Sequence, residues 1–244
     1  MINLINKILR ILFSERKIWE IKNKHNIPSM EWSLQNIKRL GFECSFAVDA
    51  GAHDGEWTVM FKKIFPSAHV LMIEALQEKE PVLKSLTQKL ADTYYHIGLL
   101  GAVNDHKVTF YINSTVSSIL KEHQPNTFSE QHRKLETIDT VIEKNEFHHV
   151  DFIKLDVQGY EIEILKGGAK ILDSAKFILC EVSLIDINQG CPLLADVIAF
   201  LKEKGFIAYD ICSFIRRPLD KALWQTDILF IRQDLAFVQN KHWA

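Results

Sequence analysis

The first residues that could carry chemistry are two acids and two glycines within residues 49–55, directly after a short apolar segment. Gly51 and Gly55 allow a tight turn and a close approach of the backbone to a ligand. A dinucleotide-binding G-x-G-x-x-G loop would need glycines at positions 49 and 54, where this chain has Asp49 and Asp54. A carboxylate repels a pyrophosphate, so the loop predicts a cationic ligand without a diphosphate. A purely structural turn between a strand and a helix is the alternative.

A further acid, Glu74, ends the second apolar segment, 25 residues after Asp49. In nucleotide-binding folds a carboxylate at this place binds both hydroxyls of a ribose, although a solvated acid at a strand end would look the same. A ribose and a positive centre together indicate S-adenosyl-L-methionine. We expect the cofactor to contact Asp49, Gly51, His53, Asp54 and Glu74. For His53 a solvent-facing residue at a helix start is the alternative.

A third acid, Asp156, stands near the carboxyl end of the apolar residues 152–157. A carboxylate inside a buried strand is costly unless it is paired or used, so Asp156 is predicted to face the ligand. Gly159 permits the turn into the next helix. Glu161 falls in the first turn of that helix, where the helix dipole favours an acid. Residues 152–161 are therefore predicted to form a second edge of the ligand site, close to the cofactor.

Several of these segments together resemble the FkbM-type methyltransferases. The resemblance runs from about residue 34 to residue 232 and rests on residues 49–55, Glu74, residues 151–161, residues 164–168, Glu181 and residues 227–230. The run K-L-D-V-Q-G-Y-E within it is the specific part, because most Rossmann-like class I methyltransferases share such a glycine loop. The resemblance implies transfer of a methyl group from S-adenosyl-L-methionine to oxygen, often on sugars, polysaccharide precursors or macrolides. Gln158 stands where the family often has Glu, and an amide cannot act as a base.

Transfer to a hydroxyl needs a group that removes the proton as the new bond forms. Asp156, which we also expect to contact the cofactor, and Glu181 are the predicted catalytic residues. A histidine from the polar residues 113–134, such as His123 or His132, is the alternative. The same stretch, which contains several serines, is expected to form an acceptor wall or a plain surface loop. Two acids alone do not make a metal site, so no metal is predicted.

The elements that must position these residues alternate between strands and helices from residue 46 onward. This alternation predicts an α/β domain with a Rossmann-like, seven-stranded, mostly parallel sheet and helices on both faces. The last strand, residues 226–232, should be antiparallel. The connection over residues 210–225 is too short for the helical crossover that a parallel strand needs.

Between the second helix and the third motif the pattern is less regular. Residues 95–103 and 108–112 are predicted as strands that pair in a hairpin. Residues 113–134 are predicted to be irregular. Residues 135–144 and 160–172 are each predicted as one helix.

Composition limits the classes of function. The chain has 244 residues, 47% of them hydrophobic and 25% charged, which is typical of a globular protein. A formal net charge of −2 lacks the electrostatic footprint of a nucleic-acid-binding protein. Four widely spaced cysteines predict neither a disulfide framework nor a zinc site. No apolar run is long enough for a transmembrane helix, so we expect a cytoplasmic protein.

Residues 1–40 are predicted as a helical extension of a methyltransferase domain over residues 41–244. Within the extension Ile5, Ile8, Leu12 and Trp19 fall near one helical face, opposite most of the basic residues. Such a stripe fits packing on its own domain, the contact of a homodimer or peripheral binding to a membrane surface. For the whole protein, the alternatives to a sugar O-methyltransferase are an inactive cofactor-binding scaffold and a methyltransferase for a different acceptor.

Overall fold

The computed structural model describes residue 25 and residues 27–113, 117–123 and 128–242. The predicted amphipathic helix within residues 1–24 lies outside this part of the chain. The strands are β1 (Phe46–Ala50), β2 (His69–Glu74), β3 (Thr93–Ile97), β4 (Leu99–Leu100), β5 (Lys107–Ile112), β6 (Ser129–Glu136), β7 (Phe152–Leu155), β8 (Phe177–Ser183), β9 (Phe206–Ile211), β10 (Ile215–Arg216) and β11 (Leu223–Arg232). The α-helices are α1 (Met30–Arg39), α2 (Glu56–Ile64), α3 (Glu80–Lys89), α4 (Ile138–Lys144), α5 (Glu161–Lys166), α6 (Ala169–Ser174), α7 (Leu194–Glu203) and α8 (Ala236–Gln239), and a short 3-10 helix covers Gln77–Lys79.

Eight strands form the central sheet in the order β10-β11-β8-β7-β1-β2-β3, with β9 also paired to β11. Within this sheet β3, β2, β1, β7 and β8 run parallel to one another, whereas β11 runs antiparallel to both β8 and β9. The predicted parallel sheet and antiparallel last strand are therefore confirmed. The predicted count of seven strands is one too low, because the two-residue β10 forms within the helix-free connection and pairs with β11.

Helices cover both faces of this sheet. Strands β1, β7 and β8 are buried along their whole length, as expected for strands with helices on either side. One core cluster contains apolar residues of α4, α5, α6 and α7, and the other contains residues of α1 and α2. Leu34 and Ile37 of α1 are fully buried in the second cluster; the domain division at residue 40 stays a prediction. No helix in the described ranges is long and apolar enough to cross a membrane.

A second, three-stranded sheet of β4, β6 and β5 follows β3. The prediction of an irregular stretch over residues 113–134 was wrong in its last part, because β6 begins at Ser129. Its first residues are polar and mostly exposed, so they show no alternation of apolar and polar side chains. The backbone pairing with β5, rather than side-chain burial, holds them in a strand.

The predicted hairpin between residues 95–103 and 108–112 was also wrong. The chain breaks at Gly98 into β3 and β4, and β5 pairs instead with β6. Two helix boundaries differ as well. The helix predicted from residue 135 begins only at Ile138, after the N-cap Thr137, and the helix predicted over residues 160–172 is interrupted at Gly167.

Gly51 brings the loop after β1 against the end of β7. Its φ is +78°, and a Cβ atom there would lie 1.9 Å from the backbone oxygen of Asp156. Only a glycine therefore lets the two chain segments come this close.

The turn after β7 is organised around the buried Glu161. One carboxylate oxygen accepts the backbone N–H groups of Val157 at 3.2 Å and Gly159 at 3.1 Å. Burial raises the pKa of Glu161 to about 7, although these hydrogen bonds favour the charged form.

Replacing Gly51 with alanine should destabilise the protein by at least about 3 kcal/mol, from overpacking and left-handed strain together. Gly41→Ala is the matched control, because Gly41 also has a positive φ of +96° but has no neighbouring atom within 4 Å of the added Cβ. We expect a cost of about 1–2 kcal/mol there, from backbone strain alone. Urea unfolding measures both variants, and equal losses would contradict the close approach.

The pKa of Glu161 should make stability depend on pH. The native state holds this proton up to about pH 7, whereas the unfolded chain releases it near the ordinary glutamate pKa of 4.5. Stability from this group is therefore fully present at low pH and is lost as pH rises through 7. Relative to Glu161→Gln, the wild-type free energy of unfolding should fall by about 2–3 kcal/mol between pH 5 and pH 8. A difference that stays constant over this range would refute the assignment.

Candidate functional site

One cavity of about 320 Å³ opens at the carboxyl ends of the central strands. One side of its lining comes from the loops after β1 and β7 and from the carboxyl-terminal parts of β2 and β8: Gly51, His53, Glu74, Asp156, Gln158 and Glu181. Its apolar wall comes mainly from the second sheet and the segments that pack on it: Leu76, Leu99, Leu100, Phe110, Ile119 and Tyr160. Ligands bind at this edge of open α/β sheets, so the cavity is the candidate functional site.

Glu74 is held rigidly at one end of the cavity. It is 7% exposed, and its two carboxylate oxygens accept the backbone N–H groups of His53 at 2.7 Å and Leu76 at 2.8 Å. Each oxygen keeps further acceptor capacity, which suits the two hydroxyls of a ribose. The backbone N–H groups of Gly51 and Ala52 both donate to the carbonyl of Ile73. Because these two amides already donate to Ile73, they are not available to bind a phosphate group.

Asp49 lies beneath the loop rather than in the cavity. It is completely buried, accepts a hydrogen bond from the Thr58 hydroxyl at 2.7 Å and forms an ion pair with Lys154 at 3.1 Å. Lys154 also donates to the carbonyl of Gly51 at 2.9 Å. Burial alone would lower the pKa of Lys154, but the carboxylates of Asp49 and Asp156 outweigh it and raise that pKa. Asp49 therefore supports the loop from its buried side, and its contact with the cofactor stays a prediction.

Asp54 likewise does not line the cavity. Its carboxylate accepts a hydrogen bond from Lys79 at 2.9 Å and lies 3.0 Å from the His53 ring. The hydrogen bond from Lys79 lowers the pKa of Asp54. This contact joins the loop after β1 to the segment after β2. Of the two residues, only His53 lies on the cavity wall.

Asp156 and Glu181 meet at the other end of the cavity, joined by one amide group. The side-chain nitrogen of Gln158 donates to Asp156 at 3.3 Å and to Glu181 at 3.0 Å. Gln158 has a φ of +58°, so the backbone turns sharply at this residue. A second amide, from Gln225 of β11, donates to the same Oε2 of Glu181 at 2.8 Å. The sequence pattern did not single out Gln225, which lies 44 residues away along the chain.

Electrostatics favour a protonated Glu181. Burial raises its pKa well above the usual range, and the nearby carboxylates of Asp156, Glu161 and Asp227 act in the same direction. Lys154 opposes the shift in part. A buried acid that binds its proton this firmly is a strong base once it is deprotonated.

The other predicted acceptor-side residues divide between the cavity and the surface. Ser117 and Ser118 line the cavity, and the Ser118 hydroxyl donates to the carbonyl of Gln158 at 3.0 Å. His123 is an exposed residue 3.6 Å from Asp186, and His132 is exposed on β6. Neither histidine is among the lining residues. Of the serine-rich stretch, residues 114–116 lie outside the described ranges.

The cavity fits the parts of S-adenosyl-L-methionine by its chemistry. Glu74 suits the ribose diol, and the apolar wall that contains Leu76 and Leu99 suits the adenine ring. The carboxylate of Asp156 suits the positive charge of the sulfonium or the amino group. The occupied amides of the glycine loop agree with a ligand that has no diphosphate.

Comparison with known proteins supplies the family. Residues 49–208, about two thirds of the chain, match the methyltransferase FkbM domain. The methyltransferase sdnD of Sordaria araneosa is 23% identical over an alignment 214 residues long, and the match covers 75% of this chain and 78% of that protein.

Two solved structures resemble the fold. The methyltransferase FkbM of Methylobacillus flagellatus is 16% identical, with a TM-score of 0.49. The match covers 77% of this chain but only 43% of that protein. The fibrillarin pre-rRNA processing protein of Methanococcus jannaschii is 14% identical, with a TM-score of 0.50 over 78% of this chain and 67% of that one. At 14% identity, the match to the fibrillarin protein is evidence for the fold alone.

The family match includes the glycine loop, Glu74, the segment with Asp156 and the strand that ends near Glu181. These are the segments that build the cavity. The chain belongs to the FkbM methyltransferase domain family and is an S-adenosyl-L-methionine-dependent methyltransferase.

Proposed function

We propose that the enzyme methylates a hydroxyl oxygen of a sugar, a polysaccharide precursor or a related small molecule. One observation carries the proposal. A single cavity has Glu74, a carboxylate suited to bind the hydroxyls of a ribose, at one end and the two acids Asp156 and Glu181 at the other. A hydroxyl acceptor needs a base, whereas an amine that is already neutral does not. The chain thus offers a base where the acceptor would lie.

Glu181 is suited to take the proton. Both amide donors, from Gln158 and Gln225, bind its Oε2. Within the described part of the chain no group donates to Oε1, which leaves that oxygen for an acceptor hydroxyl. Bound S-adenosyl-L-methionine supplies an electrophilic methyl group on a sulfonium leaving group. Glu181 first releases its own proton to solvent, and the free carboxylate then takes the hydroxyl proton of the acceptor as the acceptor oxygen receives the methyl group.

Asp156 is suited to align the acceptor beside the methyl group. Its carboxylate is anchored by Gln158 and lies 3.6 Å from the Lys154 ammonium, yet its side chain remains 38% exposed. Alignment of the two reacting atoms can supply roughly 7–11 kcal/mol of the barrier. The hydroxyls of Ser117 and Ser118 add polar partners for a hydroxylated acceptor.

A nucleic-acid acceptor is less well supported. The net charge of −2 gives no steering toward a polyanion. Arg217, a basic residue in the turn before β11, donates to Asp220 within that turn, with donor–acceptor distances of 2.7 and 2.5 Å. A non-sugar acceptor and an inactive scaffold stay as alternatives.

We also propose a cytoplasmic location. All four cysteines are free and buried, which fits a reducing compartment. The predicted homodimer depends on the apolar stripe of residues 1–24 and stays a prediction.

The reaction can be tested with S-adenosyl-L-methionine that carries a deuterated methyl group. The enzyme is incubated with a panel of sugars, nucleotide sugars, amines and oligonucleotides, and the products are analysed by mass spectrometry. We expect the labelled methyl on an alcohol oxygen. Labelled amines or nucleic acids, with no labelled alcohol, would refute the acceptor class.

Replacing Glu74 with alanine should weaken S-adenosyl-L-methionine binding about tenfold to a hundredfold, because a hydrogen bond to a charged group is worth about 1.5–3 kcal/mol. Glu78→Ala is the matched control, since Glu78 is an exposed acid in the neighbouring 3-10 helix. It should leave the affinity unchanged. Calorimetry gives both dissociation constants, and equal values for the two variants would remove Glu74 from the site.

Asp156→Asn should lower kcat by about 10²–10⁴, while the affinity for the cofactor stays within a few-fold. Asp234→Asn, at an exposed position, serves as the control and should not change kcat. The measurement uses whichever acceptor the labelled panel identifies. If cofactor affinity collapses and kcat is unchanged, Asp156 serves the cofactor alone and Glu181 alone serves the acceptor.

A further inference from the structure

A second cavity, of about 650 Å³, lies at the β9 edge of the central sheet, away from the cofactor cavity. It lies where α1 and α7, from the two helical layers, approach β9. Its lining is largely apolar and includes Ile27, Trp32, Leu194, Ile198, Ile211 and Phe214. We call it the β9 groove.

Large apolar side chains stay accessible in the β9 groove. Ile27 is 47% exposed, Ile211 is 45% exposed and Phe214 is 52% exposed. A contiguous exposed apolar surface of this kind marks a contact site for another apolar surface.

Several polar groups of the β9 groove are engaged within it. The Ser33 hydroxyl donates to Asp210 at 2.6 Å, which fastens α1 to β9. Ser29 caps α1 by accepting the backbone N–H of Trp32 at 3.5 Å. The rest of the lining is mainly apolar, so the groove fits an apolar helix face better than a strongly polar metabolite.

The chain itself delivers a matching surface to this point. Residues 27–29 form part of the groove wall, so residues 1–24 are tethered directly beside it. Tethering raises the effective concentration of the segment at the groove far above that of any free partner. Ile5, Ile8, Leu9, Leu12 and Trp19 form one apolar stripe in that segment if it is helical, as their spacing predicts.

Charge favours the same pairing. Residues 1–24 contain six Lys and Arg residues and two Glu residues, a formal net charge of +4. The whole chain carries −2, so the remaining residues carry −6. The segment and the body therefore attract each other at low ionic strength.

We propose that residues 1–24 bind as an amphipathic helix in the β9 groove of their own chain, with the apolar stripe against Ile211 and Phe214. This placement covers the exposed apolar residues of both surfaces at once. It gives the N-terminal extension an intramolecular role, in place of the homodimer contact.

The accessibility of a single thiol tests this placement. In an Ile211→Cys variant of the full chain, the new cysteine is the probe, because the four native cysteines are all buried. A water-soluble maleimide labels it, and intact mass gives the rate. We expect slow labelling that does not depend on protein concentration.

A paired substitution in the segment completes the test. Leu12→Asp places a charge within the stripe and should raise the labelling rate by about tenfold or more. Asn3→Asp adds the same charge on the opposite helical face, nine residues before Leu12, and should leave the rate unchanged. Circular dichroism and a cooperative melting curve verify that each variant folds, and Leu12→Ser replaces Leu12→Asp if it does not.

Three results would overturn the proposal. Rapid labelling with the native segment would mean an open groove. Protection that rises with protein concentration, together with a doubled mass in solution, would assign the groove to a second copy of the chain. Labelling that accelerates when phosphatidylserine vesicles are added would assign the stripe to a membrane surface.

Discussion

The buried ammonium of Lys154 is the contact on which the candidate site depends. It lies 3.1 Å from Asp49, donates to the carbonyl of Gly51 at 2.9 Å and lies 3.6 Å from Asp156. These three residues belong to the ends of β1 and β7, the adjacent central strands from which the cavity is built. A buried ion pair contributes little net stability, but the loss of one partner leaves a charge without compensation. Lys154 therefore fixes where the glycine loop ends and where Asp156 points.

One ammonium cannot neutralise all the acids around it. Glu161, Glu181 and Asp227 are buried nearby, and burial raises the pKa of each of them. Neutral amides stabilise part of this group of acids, because Gln158 and Gln225 donate hydrogen bonds to Glu181 without adding charge. A glutamate at position 158 would add another carboxylate to the group. Glutamine at position 158 therefore avoids a further negative charge in a site that is already rich in acids. It also leaves Glu181 able to exchange a proton.

The sequence predicted the acids at the cavity because parallel strands bring their carboxyl ends to one edge, so the residue after each strand is a candidate by topology alone. Burial is harder to predict from such a pattern: Asp49 follows the rule yet lies under the loop, because Lys154 and Thr58 satisfy it there. The apolar wall was missed because it depends on β6, whose polar residues carry no strand periodicity. Gln225 was missed because only the antiparallel pairing of β11 with β8 brings it to Glu181.

We propose that one cavity holds the nucleoside at Glu74 and the reacting methyl group near Asp156 and Glu181. A crystal structure of the enzyme with S-adenosylhomocysteine, the demethylated product of the cofactor, tests this most directly. We expect both ribose hydroxyls within hydrogen-bond distance of the Glu74 carboxylate, and the sulfur on the side of the cavity that faces the Gln158 amide. A nucleoside bound elsewhere, or bound here with its ribose away from Glu74, would contradict it.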